Sequence, residues 1–312
     1  MKIAYIVICH KDPELLGRLA ETLYFGEDHL YVHVDRKSEI GPFQNACRNS
    51  RHVTFIEDRV DNYWGGWNSI RATMNALICA RDNGPYDRYV LLQGQDYPLH
   101  CPQTIHAFFE AHEHEEFCKG LDMTHADDKD DYMKICGYYL YDYNKNNLFL
   151  KACSYALILF NSRGIRYRPA VFRNHGQEWI IYHGWAQWSL SDQAVSHVLQ
   201  TYRENTAYNK FIRHRFPPDE LYFPTIIYNS PFKEKVSDYT VISREGKQTI
   251  LNLTYFEYPS TVVEFRDPAL LQELLDTKTL FVRKVSSEHS AALLDAIDES
   301  IGRELREKRY CL

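Results

Sequence analysis

The chain has 312 residues, 45% of them hydrophobic and 25% charged, with a formal net charge of −6. This is enough apolar material for one large core or two modest ones, and the acidic balance excludes a broad basic surface for nucleic acid. The eight cysteines are scattered with no Cys-x-x-Cys pair, which reads as reduced thiols of a cytoplasmic protein and not as a disulfide framework or a zinc site.

The opening run Ile3-Ala4-Tyr5-Ile6-Val7-Ile8 is too short for a signal peptide or a membrane span and reads as a buried strand. Asp12-Pro13 supplies an N-cap and a first-turn proline. Leu15, Leu16, Leu19 and Leu23 then recur at helical spacing. Leu30 to Val34 is a second strand ending at Asp35, and His52 to Ile56 a third. Ile70, Met74, Leu77 and Ile78 mark a helix from Asn68 that ends near Gly84. Tyr89 to Leu92 is a fourth strand, followed by a polar loop through Asp96 and a helix from Pro102 to His112. Strand and helix alternating in this way predict an α/β fold, with a Rossmann-like, mostly parallel sheet flanked by helices.

Residues 113–147 are charged and irregular, and read as a surface insertion around Asp127-Asp128-Lys129-Asp130-Asp131. Leu157-Ile158-Leu159-Phe160 reads as a strand. Arg163, Arg166, Arg168 and Arg173 form a local basic patch, read either as a solvated face or as a contact for a phosphate-bearing or lipid-linked acceptor. Trp185 to Ser191 leads into a helix carrying Val195, Val198 and Leu199, and a stripe from Leu293 to Leu305 marks a terminal helix. No repeat or linker interrupts the chain. One domain over 1–312 is expected: a nucleotide-binding half (1–112), a variable acceptor region (113–180) and a second half with the catalytic machinery (181–312).

Ligands of open α/β sheets bind beyond the carboxyl ends of the strands, where His10, Asp35, the Trp64–Trp67 turn and Gln95-Asp96 fall. The segment Pro217-Pro218-Asp219-Glu220 sets a carboxylate in a proline-rigid turn, either as a general base or as the acidic first turn of a capped helix. There is no Gly-x-Gly-x-x-Gly after a strand, no Walker loop and no Gly-x-Ser-x-Gly elbow. Where nucleotide-sugar transferases often place Asp-x-Asp for a divalent cation, the chain reads Gln93-Gly94-Gln95-Asp96. Asp128-Lys129-Asp130 has the spelling, but lies in an acidic run with no strand before it.

Seven segments resemble, in order, the core-2/I-branching N-acetylglucosaminyltransferase family (glycosyltransferase family 14, which includes the protein O-xylosyltransferases). They are Ala4–Lys11, Val32–Ser38, Trp64–Ser69, Tyr89–Leu99, Pro218–Tyr222, Tyr255–Glu257 and Leu280–Lys284. The resemblance implies a GT-A-type fold and an inverting, metal-independent transfer from a UDP-sugar, by default UDP-GlcNAc, to a saccharide or lipid-linked glycan. No cofactor and no nucleic acid partner are implied, and membrane contact is at most peripheral, at the inner face. Glu220 would be the general base. Val7, His10, Asp35, Trp64, Asp96, Arg266 and Lys284 would bind the donor, with Lys284 on the diphosphate and Arg244 an alternative to Arg266. Trp185 and Tyr255 would face the acceptor, although Leu253 stands where the family's tryptophan is expected. The rival readings are a metal-dependent transferase using Asp96, and a catalytically inactive nucleotide- or glycan-binding protein on the same fold.

Overall fold

The computed structural model describes residues 1–125, 137–143, 146–162, 171–174, 176–239, 252–258 and 261–310. Asp128-Lys129-Asp130, Arg163, Arg166, Arg168 and Arg244 lie outside them.

The first half alternates as expected: β1 (Ile3–Cys9), α1 (Pro13–Thr22), β2 (His29–Val34), α2 (Gly41–Ala46), β3 (Val53–Phe55), α3 (Asn68–Asp82), β4 (Arg88–Gln93), β5 (Asp96–Pro98) and α4 (Pro102–Ala111). After these come β6 (Gly120–Asp122), α5 (Leu148–Ser162), β7 (Val171–Asn174), β8 (Gln177–Ile180), β9 (Tyr182–Gly184), β10 (Ser189–Ser191), α6 (Asp192–Glu204), α7 (Thr206–Ile212) and α8 (Pro218–Tyr228). The chain ends through β11 (Thr254–Tyr255), α9 (Leu271–Asp276), β12 (Phe281–Arg283) and α10 (Ala291–Tyr310).

The central sheet has the order β10-β4-β1-β2-β3. Strands β4, β1, β2 and β3 run parallel, and β10 closes the β4 edge antiparallel. All seven residues of β1 are buried, because helices cover both faces. Ile3, Tyr5, Val7 and Cys9 enter one core with α1, α4 and α10. Ala4, Ile6 and Ile8 enter the other with α3, α6 and α8. The α/β fold with a mostly parallel central sheet flanked by helices is thus what the sequence predicts. A smaller sheet, β11-β12-β5, hangs beside it, with β12 antiparallel to β5 so that Arg283 pairs with Asp96.

Two expectations need correction. The 113–147 segment is no simple surface insertion, since Glu116 and Phe117 are each 1% exposed. Glu116 accepts from the backbone and hydroxyl of Ser191, and Phe117 bridges to Ser189 on the edge of the main sheet. Leu157–Phe160 is not a strand but the last part of α5. A four-residue apolar run fits either period, and only the longer pattern separates them.

Candidate functional site

Four chain segments meet beyond the carboxyl ends of β1, β2 and β4. At the end of β1 the backbone turns through Asp12, which adopts a left-handed conformation (φ 62°), tolerable for aspartate. Its carboxylate caps α1 through the Leu15 N–H at 3.1 Å and also accepts from the N–H and hydroxyl of Ser287. The turn after β1 is thereby stapled to the loop after β12, with Lys11 and Lys284 flanking the joined residues. Burial and then the nearby Lys11 charge lower the Lys284 pKa. Burial lowers that of His10, with Lys11, Lys37 and Arg283 adding to the effect. Lys11, Lys37, Arg283 and Lys284 thus gather at the rim, with Lys37 paired there to Asp35 and Arg283 to Asp96.

Asp35 follows β2 and is buried, with its carboxylate held by the Lys37 ammonium (2.6 and 2.8 Å) and backbone N–H (3.0 Å). Lys37 also reaches the Asn62 carbonyl and lies 4.2 Å from the centre of the Tyr63 ring. The loop continues into Trp64, 77% exposed, whose indole packs edge-on against Phe216 (4.8 Å) and Tyr141 (6.1 Å). Gly65 makes this possible. Its φ of +75° and its closeness to the Phe216 ring, 2.5 Å from where a β-carbon would sit, leave room for glycine alone.

Asp96 opens β5 fully buried, accepting from Arg283 (2.7 Å), the Gln93 N–H (2.8 Å) and Gln187 (3.4 Å). Burial raises its pKa, while Arg283 is the strongest pull in the other direction. Three protein donors already face its carboxylate. Among the described residues no group of three His, Cys, Asp or Glu side chains is disposed to hold a metal ion.

Glu220 stands in the first turn of α8, which begins at Pro218 after an extended Pro217. The sequence left base and cap as alternatives, and the helix is real. Asp219 and Glu220 form its acidic first turn, as the cap reading expects. The Glu220 side chain is 23% exposed and meets His183 Nε2 at 3.0 Å. Gly120 and Gly184, paired across β6 and β9, let α8 come this close, because a β-carbon on either would lie 2.9 Å from Pro224. Burial and the adjacent Glu220 charge raise the pKa of Asp219. His183 touches Glu220 and Gln187 touches Asp96, so the two contacts spring from one short stretch whose α-carbons at 183 and 187 are at most ~14 Å apart.

The remaining expected residues fall differently. Val7 is 0% exposed in the middle of β1, with strands on both sides, and offers no side chain to a ligand. Tyr255 is 1% exposed with its hydroxyl on Glu257, so no ring face is open to a sugar. Trp185 is half-buried, edge-on to Phe256 at 4.6 Å, between His183 and Gln187. Arg266 is exposed and paired with Glu264 at 2.7 Å, beside a run that exchanges backbone bonds with Lys284. Lys11, Lys37, His183, Gln187 and Arg283 are the residues that sequence reasoning did not single out. Lys11, Lys37 and Arg283 lie within recognised segments, whereas His183 and Gln187 carry no local signal. A cavity of about 630 Å³ lies elsewhere, lined by Met1, Asp87, Arg88, Glu113 and Glu116 at the opposite rim of the sheet, away from all of these groups.

The Core-2/I-branching enzyme model matches residues 3–252, and the chain belongs to that glycosyltransferase family. Among similar proteins, rat xylosyltransferase 2 is 24% identical over 246 residues (76% of this chain, 26% of the relative). Human xylosyltransferase 1 is 22% identical over 244 residues (76% and 23%). The chain thus matches about a quarter of the length of these relatives. A structure of the WbbM bifunctional glycosyltransferase in its apo state covers 98% of this chain and 51% of its own, with a TM-score of 0.37 and 12% identity. No helix among the described residues is long and apolar enough to cross a membrane.

Proposed function

We propose that the chain is an inverting glycosyltransferase that moves a sugar from a UDP donor to a saccharide hydroxyl. The observation that carries this reading is Glu220, anchored at 3.0 Å by His183 and linked through a few residues of chain to the Asp96–Arg283 pair beneath the cationic rim. In the reaction Glu220 takes the proton from the acceptor hydroxyl as its oxygen attacks the anomeric carbon from the face opposite the leaving group. The C–O bond to the diphosphate breaks and UDP departs with the electron pair. Lys284, joined by Lys11, stabilises the charge that develops on the diphosphate. Asp35 and Trp64 hold the uridine, and Trp185 lines the acceptor side.

Because Asp96 is neutralised by Arg283 and the cations belong to the protein, the transfer needs no divalent ion. GlcNAc is the default donor sugar. The relatives named xylosyltransferases make xylose the second candidate, with galactose and glucuronic acid behind. The test is turnover of a UDP-sugar panel against saccharide acceptors, with EDTA or with manganese, and the product anomer read by NMR. Inversion in EDTA is expected. Strict dependence on manganese refutes the fixed-cation account, and UDP binding without turnover across the panel favours an inactive binding protein.

A further inference from the structure

What surrounds the Lys37 ammonium decides what it can do. An ammonium has three N–H groups, and three oxygens stand within bonding distance of this one: Asp35 Oδ2 at 2.6 Å, Asp35 Oδ1 at 2.8 Å and the Asn62 carbonyl at 2.6 Å. The same ammonium lies over the Tyr63 ring, a further favourable contact for a cation. Its donors are all in use, so a phosphate oxygen would have to displace one of these partners. Lys37 thus differs from Lys11 and Lys284, the cations assigned above to the diphosphate.

The partners belong to two loops. Asp35 and Lys37 follow β2, whereas Asn62 and Tyr63 lead into Trp64. Other bonds join the same loops. The Arg36 N–H donates to the Val60 carbonyl at 3.1 Å, the Asn62 N–H to Asp35 Oδ1 at 3.4 Å, and the Arg36 guanidinium to Asp61 at 2.9 and 3.0 Å. The Arg36 and Asp61 side chains are 61% and 33% exposed, a setting in which ion pairs contribute little. Lys37 and Asp35 are 38% and 7% exposed, so theirs is the stronger tie. Asp35 still has an acceptor to offer. Among the described residues its Oδ2 meets the ammonium alone, which leaves a lone pair for a hydroxyl or an imide N–H. We infer that Lys37 is a positioning residue for the nucleoside: it clasps the Asp35 carboxylate and the 62–64 turn into one pocket for a uridine-like group, and takes no part in holding the diphosphate. The inference rests on the reading of Asp35 and Trp64 as the uridine grip.

The experiment is an NMR titration of the full chain with uridine, UDP and inorganic pyrophosphate in turn, on the wild type, Lys37→Met and Lys37→Gln. Lys37→Met is expected to weaken uridine and UDP by one common factor, roughly tenfold or more from the loss of charge-assisted bonds. Pyrophosphate should stay within about twofold of the wild type, because Lys11 and Lys284 are untouched. Lys37→Gln keeps a donor on a similar stem and should show the same pattern at smaller amplitude, which preserves the test if the methionine variant does not fold. In turnover, KM for the UDP-sugar should rise while kcat at saturating donor is kept. Weaker UDP and pyrophosphate with uridine unchanged would place Lys37 on the phosphates and overturn the inference. A common loss for all three ligands, which reports a general collapse, overturns it too, as does binding of all three that neither variant alters. Wild-type protein that binds neither uridine nor UDP would sink the donor-site reading together with the clasp, whereas the variant results bear on the clasp alone.

Discussion

Glu220→Gln isolates the role of a single proton acceptor. Gln has the same shape, and its amide oxygen can accept from the His183 ring at the 3.0 Å separation of the present pair. The contact is partly exposed, so exchanging the carboxylate for an amide should cost under about 1 kcal/mol of stability. The chemistry is another matter. A positioned general base contributes about 10²–10⁴ in rate, or roughly 3–5 kcal/mol of barrier. None of the rim groups at Lys11, Lys37, Arg283 or Lys284 is altered. The assay is kcat for UDP release in the presence of acceptor, beside the rise in melting temperature on adding UDP, which reports native-state binding by mass action. The expected variant has kcat down by at least about a hundredfold and an unchanged UDP shift. A fall of less than tenfold, or loss of the UDP shift together with activity, would refute the assignment of Glu220 as base.

Three further outcomes follow from the same geometry. Lys284→Met and Lys11→Met should each leave the ligand-free melting point level or raise it, since like charges move apart. Each should weaken UDP by about tenfold or more through loss of a charge-assisted bond; UDP affinity indifferent to both would place the diphosphate elsewhere. Gly65→Ala forces a β-carbon into the Phe216 ring at positive φ. It should cost on the order of 1–3 kcal/mol, seen as a melting point several degrees lower, and a silent substitution would show that the Trp64 turn rearranges freely. Burial and Glu220 push the Asp219 carboxyl up to about 7, above the ordinary ~3.9. Between these values the native state keeps a proton that the unfolded chain has released, so this group lowers stability as pH rises. The melting point of Asp219→Asn relative to wild type should therefore climb from about pH 4 to about pH 7, and a constant difference would refute the burial argument.

The parallel sheet was legible because continuous apolar runs such as Ile3–Ile8 are what a strand covered on both faces requires, and Asp12-Pro13 marked the start of α1 by ordinary cap chemistry. Helix α5 was not legible. Its apolar residues face outward while Ser154 and Asn161 face inward, so the usual rule linking hydrophobicity to the core gives the wrong period. In the candidate site, Asp35, Trp64, Asp96, Glu220 and Lys284 stood in recognisable segments. Their partners did not, because His183 meets Glu220 across 37 positions of sequence and Arg283 meets Asp96 across 187. Nothing local records such pairings. Val7 and Tyr255 show the converse: each lies in a recognised segment, yet packing has closed its side chain off.

The Asp12 staple has a consequence for handling the protein. By tying the turn after β1 to Ser287 it holds the segments that carry Lys11 and Lys284 side by side, and a multivalent anion could bridge two such ammonium groups. Pyrophosphate, tripolyphosphate or even concentrated sulfate should therefore act as a stabilising additive during purification and crystallisation, whereas dilute, chloride-poor buffers should leave this corner of the molecule the first to loosen.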